Sequence, residues 1–252
     1  MIDYFVRLIY HRAMVHCETD GQVSEKNEAL SEPVELQGGR LSDVAYARVL
    51  EALFDRRLPA GAFVSQNELV ELIGVPVAPL RDALRVLEAE GILIIQPRSG
   101  IQFTKPGAEL TKSTYQFRAI VERAAVRVFC ETATDEEVAT IRRRHLEMAL
   151  KLEETRINAA ILAELEQLEE LFHNSIIESL RNPLIENAYR RMRTYLQLVR
   201  LDRRMTVPLA QRTMREHLAV IAAIDERDPE AADAAIAAHF TTALQRHLGM
   251  FV

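Results

Sequence analysis

The scarcity of helix-breaking residues is the strongest constraint on how this chain can fold. Nine glycines and nine prolines among 252 residues come to roughly 7%, against an average of about 12%. A β-sandwich or barrel needs frequent turns, so this composition excludes both. Residues 109–252 show the pattern of long amphipathic helices. Short breaks divide this stretch near residues 132–134, 157–158, 182–183, 207–208 and 227–229. About six helices with such short connections predict an antiparallel bundle, so the fold class is mainly α.

The first part of the chain divides into an irregular stretch and a segment of closely spaced secondary-structure elements. Residues 1–40 show no sustained periodicity, which predicts a mobile extension. A helical pattern begins at residue 41, and Ser65-Gln66-Asn67-Glu68 has the form of a capping box that opens a second helix. Gly74 suits the left-handed residue that ends this helix, and Pro79 suits the first position of a third. Two short apolar runs around a turn then predict a hairpin. This order of elements predicts a winged helix-turn-helix.

Bulk properties exclude several classes of protein. A net charge of −6 argues against a chain that coats nucleic acid by bulk charge. It does not exclude a nucleic-acid site built from a few arginines. Two cysteines, Cys17 and Cys130, are too few for a disulfide framework or a thiolate zinc cluster. No apolar run approaches the ~20 residues of a membrane span, and charged residues interrupt the start of the chain, unlike a signal peptide. We therefore expect a soluble cytoplasmic chain.

The third helix of the winged module carries the residues that point to DNA. Apolar residues at helical spacing define its inward side: Leu80, Ala83, Leu84 and Leu87. Arg81 and Arg85 project together from the opposite side, where two guanidinium groups can meet phosphates and base edges in a major groove. Arg98, at the tip of the hairpin, can reach the adjoining backbone or minor groove. An isolated arginine pair is more often a solvated surface, but the surrounding elements favour DNA binding here.

Over residues 41–105 the chain resembles the GntR superfamily of bacterial transcription regulators. The matching motifs are Leu58-Pro59-Ala60-Gly61, Glu68-Leu69, Gly74-Val75, Pro79-Leu80-Arg81-Asp82-Ala83-Leu84, Leu87-Glu88-Ala89-Glu90-Gly91 and Gly100. The resemblance implies DNA contacts from Arg81, Arg85 and the wing. The family usually has Ser-Arg just before the recognition helix, where this chain has Pro76-Val77. The segment carries seven basic and eight acidic residues, so we expect DNA affinity to depend only weakly on salt.

Three histidines and a carboxylate in the helical region form a candidate metal site. Glu169 and His173 lie one turn apart on a helix, where a carboxylate and an imidazole can hold the same ion. His217 and His239 lie on the inward sides of two other predicted helices. A single such histidine is more often an ordinary core residue with one hydrogen bond, but three buried imidazoles need partners, and a shared cation would supply them.

The remaining histidines lack this support from the sequence pattern. We place His145 and His247 at the surface or boundary of the bundle, and His11 and His16 in the N-terminal extension.

Residues 112–248 resemble the FCD ligand-binding domain that follows the winged helix in the FadR subfamily. The motifs are Arg118 with Glu122, Glu169-x-x-Phe172-His173, Asn182-Pro183, Glu216-His217 and His239. In the metal-binding branch an Asp stands at the position of Glu169. The resemblance implies a divalent ion, Zn²⁺ or Ni²⁺, with open positions for a small carboxylate metabolite that Arg118 contacts. Alternatively, Arg118 forms only an i, i+4 salt bridge with Glu122.

These features predict a metabolite-responsive transcription regulator that binds an operator in double-stranded DNA as a homodimer and is not an enzyme. Two alternatives remain open at this point. A metal-dependent hydrolase would use the same ligands to activate water, but the chain has no HExxH motif and no Gly-rich phosphate loop. A regulator-like module that binds a metabolite without specific DNA binding would explain the missing arginine at Val77 and the acidic balance of residues 41–105.

Overall fold

The computed structural model describes residues 40–201 and 204–249. The chain separates into two compact units at the junction of Lys105 and Pro106, and each unit is described by itself. The prediction of a mobile extension over residues 1–40 falls almost wholly outside the described residues, as do the predictions for His11, His16 and Cys17. Among the described residues, no helix is both long enough and apolar enough to cross a membrane.

The first unit is a winged helix-turn-helix. Its elements in chain order are α1 (Leu41–Phe54), β1 (Phe63–Val64), α2 (Gln66–Ile73), α3 (Val77–Ala89), β2 (Leu93–Gln96) and β3 (Gly100–Phe103). The strands form an antiparallel sheet in the order β1-β3-β2. Gln102 on β3 pairs with Phe63 on one side and with Ile94 on the other. The helical pattern and the hairpin of the sequence analysis are therefore both confirmed.

Local chemistry fixes the turn between α2 and α3. Ser65 Oγ accepts from the backbone N–H of Glu68 at 3.2 Å, and a Glu68 carboxylate oxygen accepts from the backbone N–H of Ser65 at 2.6 Å, which is the predicted capping box. Gly74 ends α2 in the left-handed region at φ 62°. The prediction that α3 begins at Pro79 is wrong. Pro76, with extended backbone angles, is the N-cap, so Val77 is the first residue of α3.

Strand β1 was absent from the sequence-based expectation. It contains only two residues, too few to show the alternation of apolar and polar side chains by which a strand is recognised. Its pairing with β3 completes the small sheet from which the wing extends.

The second unit contains six helices among the described residues. They are α4 (Ala108–Thr132), α5 (Asp135–Glu154), α6 (Ala159–Glu178), α7 (Pro183–Arg200), α8 (Val207–Asp225) and α9 (Pro229–His247). Polar N-cap side chains start four of them, at Thr134, Asn158, Asn182 and Asp228. The 25-residue α4 contacts α6, α7, α8 and α9, so side chains from these helices meet along its buried side. Every predicted break coincides with an observed one.

The Gly100→Ala variant tests how the wing is held. Gly100 has φ 152°, and an added methyl group would lie 2.8 Å from the Val64 carbonyl oxygen and 2.9 Å from Cζ of Phe63. Because backbone and an aromatic ring both stand in the way, we expect the winged unit to lose about 1–3 kcal/mol of stability. Urea unfolding of the full chain, followed by circular dichroism, measures the loss.

Gly107→Ala is the matched control. No atom lies within 4 Å of the position that its Cβ would take, and its backbone is extended at φ −130°. Equal effects of the two substitutions would contradict the packing argument for Gly100.

Candidate functional site

The arginines predicted to contact DNA are all exposed on the first unit. Arg81 and Arg85 lie on the side of α3 opposite its buried residues, which are Leu80, Ala83, Leu84 and Leu87. The nearest acidic partner of Arg85 is Asp82 at 3.9 Å, and both side chains are about two-thirds exposed, at 70% and 66%. An exposed ion pair of this kind contributes little to stability. The Arg85 guanidinium is therefore accessible to a partner. Arg98 is exposed in the β2–β3 turn with φ 64°.

Three histidines from three helices meet inside the second unit. His173 comes from α6, His217 from α8 and His239 from α9, and all three are buried. One ring nitrogen of each lies within 4.8 Å of one ring nitrogen of both others. The inward placement of these side chains follows from their positions in the apolar stripes of their helices. The structure therefore brings together the three predicted histidines.

Carboxylates fix the orientation of two of these rings. Nδ1 of His173 lies 2.6 Å from Glu122 Oε2, and Nδ1 of His239 lies 2.9 Å from Glu216 Oε2. A carboxylate only accepts hydrogen bonds, so each Nδ1 carries the proton of this hydrogen bond, and Nε2 lies on the other side of each ring. A carboxylate behind the imidazole is the arrangement by which proteins orient histidine ligands of a metal.

A fourth histidine fixes the third ring. His145 Nδ1 lies 2.7 Å from the Ile141 carbonyl oxygen, and His145 Nε2 lies 3.2 Å from His217 Nδ1. The carbonyl can only accept, so Nδ1 of His145 is the donor and its Nε2 is the acceptor. His217 Nδ1 therefore carries a proton, and His217 Nε2 has a free lone pair.

The expectation that His145 lies at the surface or boundary of the bundle is wrong. The residue is fully buried, because it belongs to the inward stripe of α5, which consists of Val138, Ile141, His145, Met148 and Leu152. This helical spacing was visible in the sequence and could have identified His145. His247, by contrast, is half-buried and lies at the boundary.

Several buried polar atoms around the histidines have no hydrogen-bond partner among the described residues. They are His173 Nε2, His217 Nε2, Glu169 Oε1 and Arg118 Nη2. Glu169 Oε1 lies only 3.3 Å from His217 Nε2. Both atoms are acceptors, so their proximity is unfavourable unless a cation lies between them. The separation is close to the ~3.4 Å between neighbouring donors at about 2.1 Å around a tetrahedral ion. The donor set therefore fits a metal site.

Glu169 differs from the three histidines in having an additional cationic partner. Its second carboxylate oxygen accepts from Arg200 Nη2 at 2.7 Å. Burial raises the pKa of Glu169, but the charge of Arg200 is the largest of the effects that oppose burial, and this pKa lies well below its usual value. Glu169 is therefore ionised, as a metal ligand must be.

Burial keeps the imidazoles of His173, His217 and His145 neutral. It lowers the pKa of His173 to about 4, although the Glu122 carboxylate opposes the shift. It also lowers the pKa of His217 well below the usual value and that of His145 to a smaller extent. Neutral rings with free Nε2 atoms bind a cation without first losing a proton, so the site is prepared for a metal at neutral pH.

Arg118 is completely buried and makes the predicted ion pair. Its Nε donates to Glu122 Oε1 at 2.7 Å, and the guanidinium carbon lies 4.7 Å from the centre of the Phe240 ring. Tyr189 and His173 also donate to Glu122. Of these donors, Arg118 and His173 outweigh the effect of burial and lower the pKa of Glu122 to about 2. Arg118 Nη2 has no hydrogen-bond partner in the described part of the chain, so the ion pair does not use the full donor capacity of the guanidinium.

A cavity in the second unit lies at one end of the bundle. Its volume is about 540 Å³, and its lining includes Gly107, Arg204 and His247 but none of the three clustered histidines. His247 Nδ1 lies 3.0 Å from the Tyr115 hydroxyl, and the Tyr115 ring centre is 5.9 Å from the Arg118 guanidinium carbon. His247 and Tyr115 therefore stand between this cavity and Arg118.

Sequence reasoning missed two other groups that hold the site. Arg200 comes from the end of α7, 31 residues from Glu169, and no local pattern connects the two. Tyr189, on the same helix, shares a buried stripe with the apolar Met192 and Leu196, and its bond to Glu122 depends on how α7 packs against α4.

Comparison with known families agrees with both units. Residues 41–103 match the family of bacterial regulatory proteins named gntR, and residues 113–242 match the FCD domain. Together these matches cover most of the described residues.

Individual relatives are transcription regulators. The HTH-type transcriptional regulator YdhC of Bacillus subtilis (strain 168) is 26% identical over 195 residues, 77% of this chain and 85% of that protein. The Nta operon transcriptional regulator of Aminobacter aminovorans is 28% identical over 187 residues, 74% and 83% of the two chains.

Solved structures show the same fold. E. coli McbR/YncC, at 16% identity, has a TM-score of 0.65 and covers 85% of this chain and 100% of its own. A GntR transcriptional regulator from Rhodococcus sp. RHA1, at 17% identity, has a TM-score of 0.66 and covers 84% and 99%. The chain thus belongs to the GntR family with a C-terminal FCD domain, and it is a DNA-binding transcription regulator rather than an enzyme.

Proposed function

We propose that a metal-centred site for a small carboxylate in the second unit controls how this regulator binds its operator. In this proposal residues 41–105 bind DNA, and residues 109–252 bind the effector and form the homodimer. The observation that carries the proposal is the histidine cluster, in which His173, His217 and His239 each use Nδ1 for a separate acceptor and each bring one ring nitrogen within 4.8 Å of the other two.

The proposed ligands are His173, His217, His239 and Glu169. Three neutral imidazoles and one carboxylate form a borderline donor set that suits Zn²⁺ or Ni²⁺ better than Mg²⁺ or Ca²⁺, which prefer oxygen ligands. The bound ion would supply a Lewis-acidic position for a carboxylate oxygen. Arg200, which neutralises Glu169, reduces the net negative charge of the site and so favours an anionic effector.

Arg118 is the proposed protein contact for the effector. Its buried Nη2 has no hydrogen-bond partner among the described residues, and a buried unpaired donor is costly. A carboxylate that accepts from Nη2 would remove this cost and add a charge-assisted hydrogen bond. The Glu122 ion pair and the Phe240 ring hold the guanidinium in place for this contact.

Arg81, Arg85 and Arg98 are the proposed DNA contacts. In a homodimer each winged unit would read one half of a pseudo-palindrome. A coupling free energy of ~1–3 kcal/mol between the effector and DNA would change operator affinity about 5–150-fold.

The first prediction concerns metal binding. After treatment with a chelator, added Zn²⁺ or Ni²⁺ should raise the melting temperature of the full chain, because a ligand that binds only the folded state stabilises it. At 100 times the dissociation constant the gain is ~2.7 kcal/mol. His239→Gln should abolish most of the shift, and elemental analysis should find one ion per chain for the unmodified protein.

His247→Gln is the matched control, since His247 lies on the same helix but outside the histidine cluster. It should keep the metal-dependent shift. The metal assignment fails if the unmodified chain shows no shift with either ion, or if both variants behave alike.

The second prediction concerns His145, which acts on the metal through His217. His145→Phe keeps a ring in the core but removes the acceptor for His217 Nδ1, so His217 is no longer held in the tautomer that frees Nε2. Metal affinity should fall about 10–100-fold, as measured by competition with a chelator of known affinity.

The conservative variant separates this effect from simple loss of packing. In His145→Gln the amide oxygen can still accept from His217 Nδ1, so part of the affinity should return. Equal affinities for the Phe and Gln variants, or no loss in either, would refute the orienting role of His145.

The third prediction connects the effector site to DNA. In the metal-loaded chain, at least one of acetate, succinate and citrate should raise the melting temperature and change affinity for a DNA duplex selected by the protein. Arg118→Lys keeps the charge but loses the planar guanidinium fork. The carboxylate response should therefore weaken by about 10-fold or more, the size of one charge-assisted hydrogen bond, while metal binding persists.

Arg123→Lys serves as the control on the same helix, because Arg123 is exposed and pairs with Asp233. Its carboxylate response should equal that of the unmodified chain. An Arg118→Lys variant with an unchanged response would exclude Arg118 from the effector site.

A further inference from the structure

The start of helix α3 presents apolar side chains to solvent. Val77 is the first residue of the helix and 39% exposed, and Ala78 beside it is also exposed. From Val75 to Leu80 no side chain carries a hydrogen-bond donor or acceptor, and the first polar side chain of the helix is Arg81. The first turn of α3 can therefore contact a partner only through hydrocarbon groups and backbone.

The exposed apolar residues share a side of the helix with the arginines. At about 100° per residue, Val77 and Arg81 lie about 40° apart around the axis, and Ala78 falls close to Arg85. Val86, which is also exposed at 49%, lies nine residues after Val77 and so on the opposite edge of the exposed surface. A partner that contacts Arg81 and Arg85 therefore also lies close to Val77 and Ala78.

We infer that Val77 and Ala78 read the C5-methyl groups of thymine in the major groove. The inference rests on the proposed function, in which Arg81 and Arg85 place α3 in that groove. The N-terminal residues of a recognition helix contact base edges. Among the four bases, only thymine presents a methyl group there, and apolar side chains are its usual partners.

The charge of the first unit supports this reading. Residues 41–105 carry nearly equal numbers of basic and acidic residues, so bulk attraction to phosphate is weak and discrimination between sites must come from short-range contacts. Burial of a methyl group against Val77 excludes water from apolar surface on both partners. Each such methyl group should strengthen binding about fourfold.

The test removes single methyl groups from DNA. A random duplex library is first selected with the full-length protein, and each thymine in the selected site is then replaced by deoxyuridine, which lacks only the C5-methyl group. Fluorescence anisotropy should show about fourfold weaker binding for one or two thymines in each half-site. Val77→Ala should lose sensitivity to at least one of these replacements, whereas Val86→Ala, the matched control, should keep all of them.

A specificity change gives a second readout. Val77→Arg introduces a fork that pairs with guanine O6 and N7, so repeated selection should replace a thymine by guanine at the position sensitive to Val77. Because position 77 is exposed, neither variant disturbs the core.

The outcomes separate the inference from the function on which it rests. The thymine inference is wrong if the protein binds the selected site tightly and no deoxyuridine replacement weakens binding. It is also wrong if each replacement weakens binding equally for the unmodified chain and for Val77→Ala. In both cases the proposal of DNA binding stands. If Arg81→Ala binds the selected site as tightly as the unmodified chain, the placement of α3 in the groove fails, and the thymine inference fails with it.

Discussion

The second unit depends on how its buried imidazoles are satisfied. Each clustered histidine has one ring nitrogen bound to a fixed acceptor: Glu122 for His173, Glu216 for His239 and His145 for His217. These bonds settle which nitrogen carries the proton, and one ring nitrogen of each histidine lies within 4.8 Å of the other two. Without a cation the arrangement leaves acceptors unpaired in the core, which costs stability. Because a bound cation would pair these acceptors, metal binding at such a site would stabilise the folded state.

One carboxylate, that of Glu122, links the candidate metal site to the proposed effector contact. Glu122 accepts from Arg118, Tyr189 and His173 at once, so the ring of a proposed metal ligand and the guanidinium proposed to contact the effector share one anchor. A displacement of either group therefore shifts the Glu122 carboxylate and, through it, the other group. Such a shared anchor is a physical means by which an effector could alter the packing of α4 against α6 and α7, since the three helices supply these residues.

In the first unit, by contrast, the residues proposed to contact DNA lie exposed on the surface. Its core is made of short apolar stripes, and capping by Ser65 and the left-handed Gly74 fix the turn before α3. The arginines and the apolar first turn of α3 stay accessible as a result. Most of this could be predicted from the sequence, because caps, turns and helical spacing are local signals. The two-residue β1 and the start of α3 at Val77 could not, since pairing with β3 and the N-cap role of Pro76 decide them.

The amino-acid sequence alone determined the order of elements, the exposed arginines of α3 and the inward direction of His173, His217 and His239, because each follows from the periodicity of one helix. Only the tertiary structure decided which group stands behind each ring. His145 meets His217 across 72 residues, Glu122 meets His173 across 51, and Arg200 meets Glu169 across 31. Periodicity tells which side of a helix is buried. It does not tell which residue of a neighbouring helix lies opposite, because that depends on the packing of whole helices against one another.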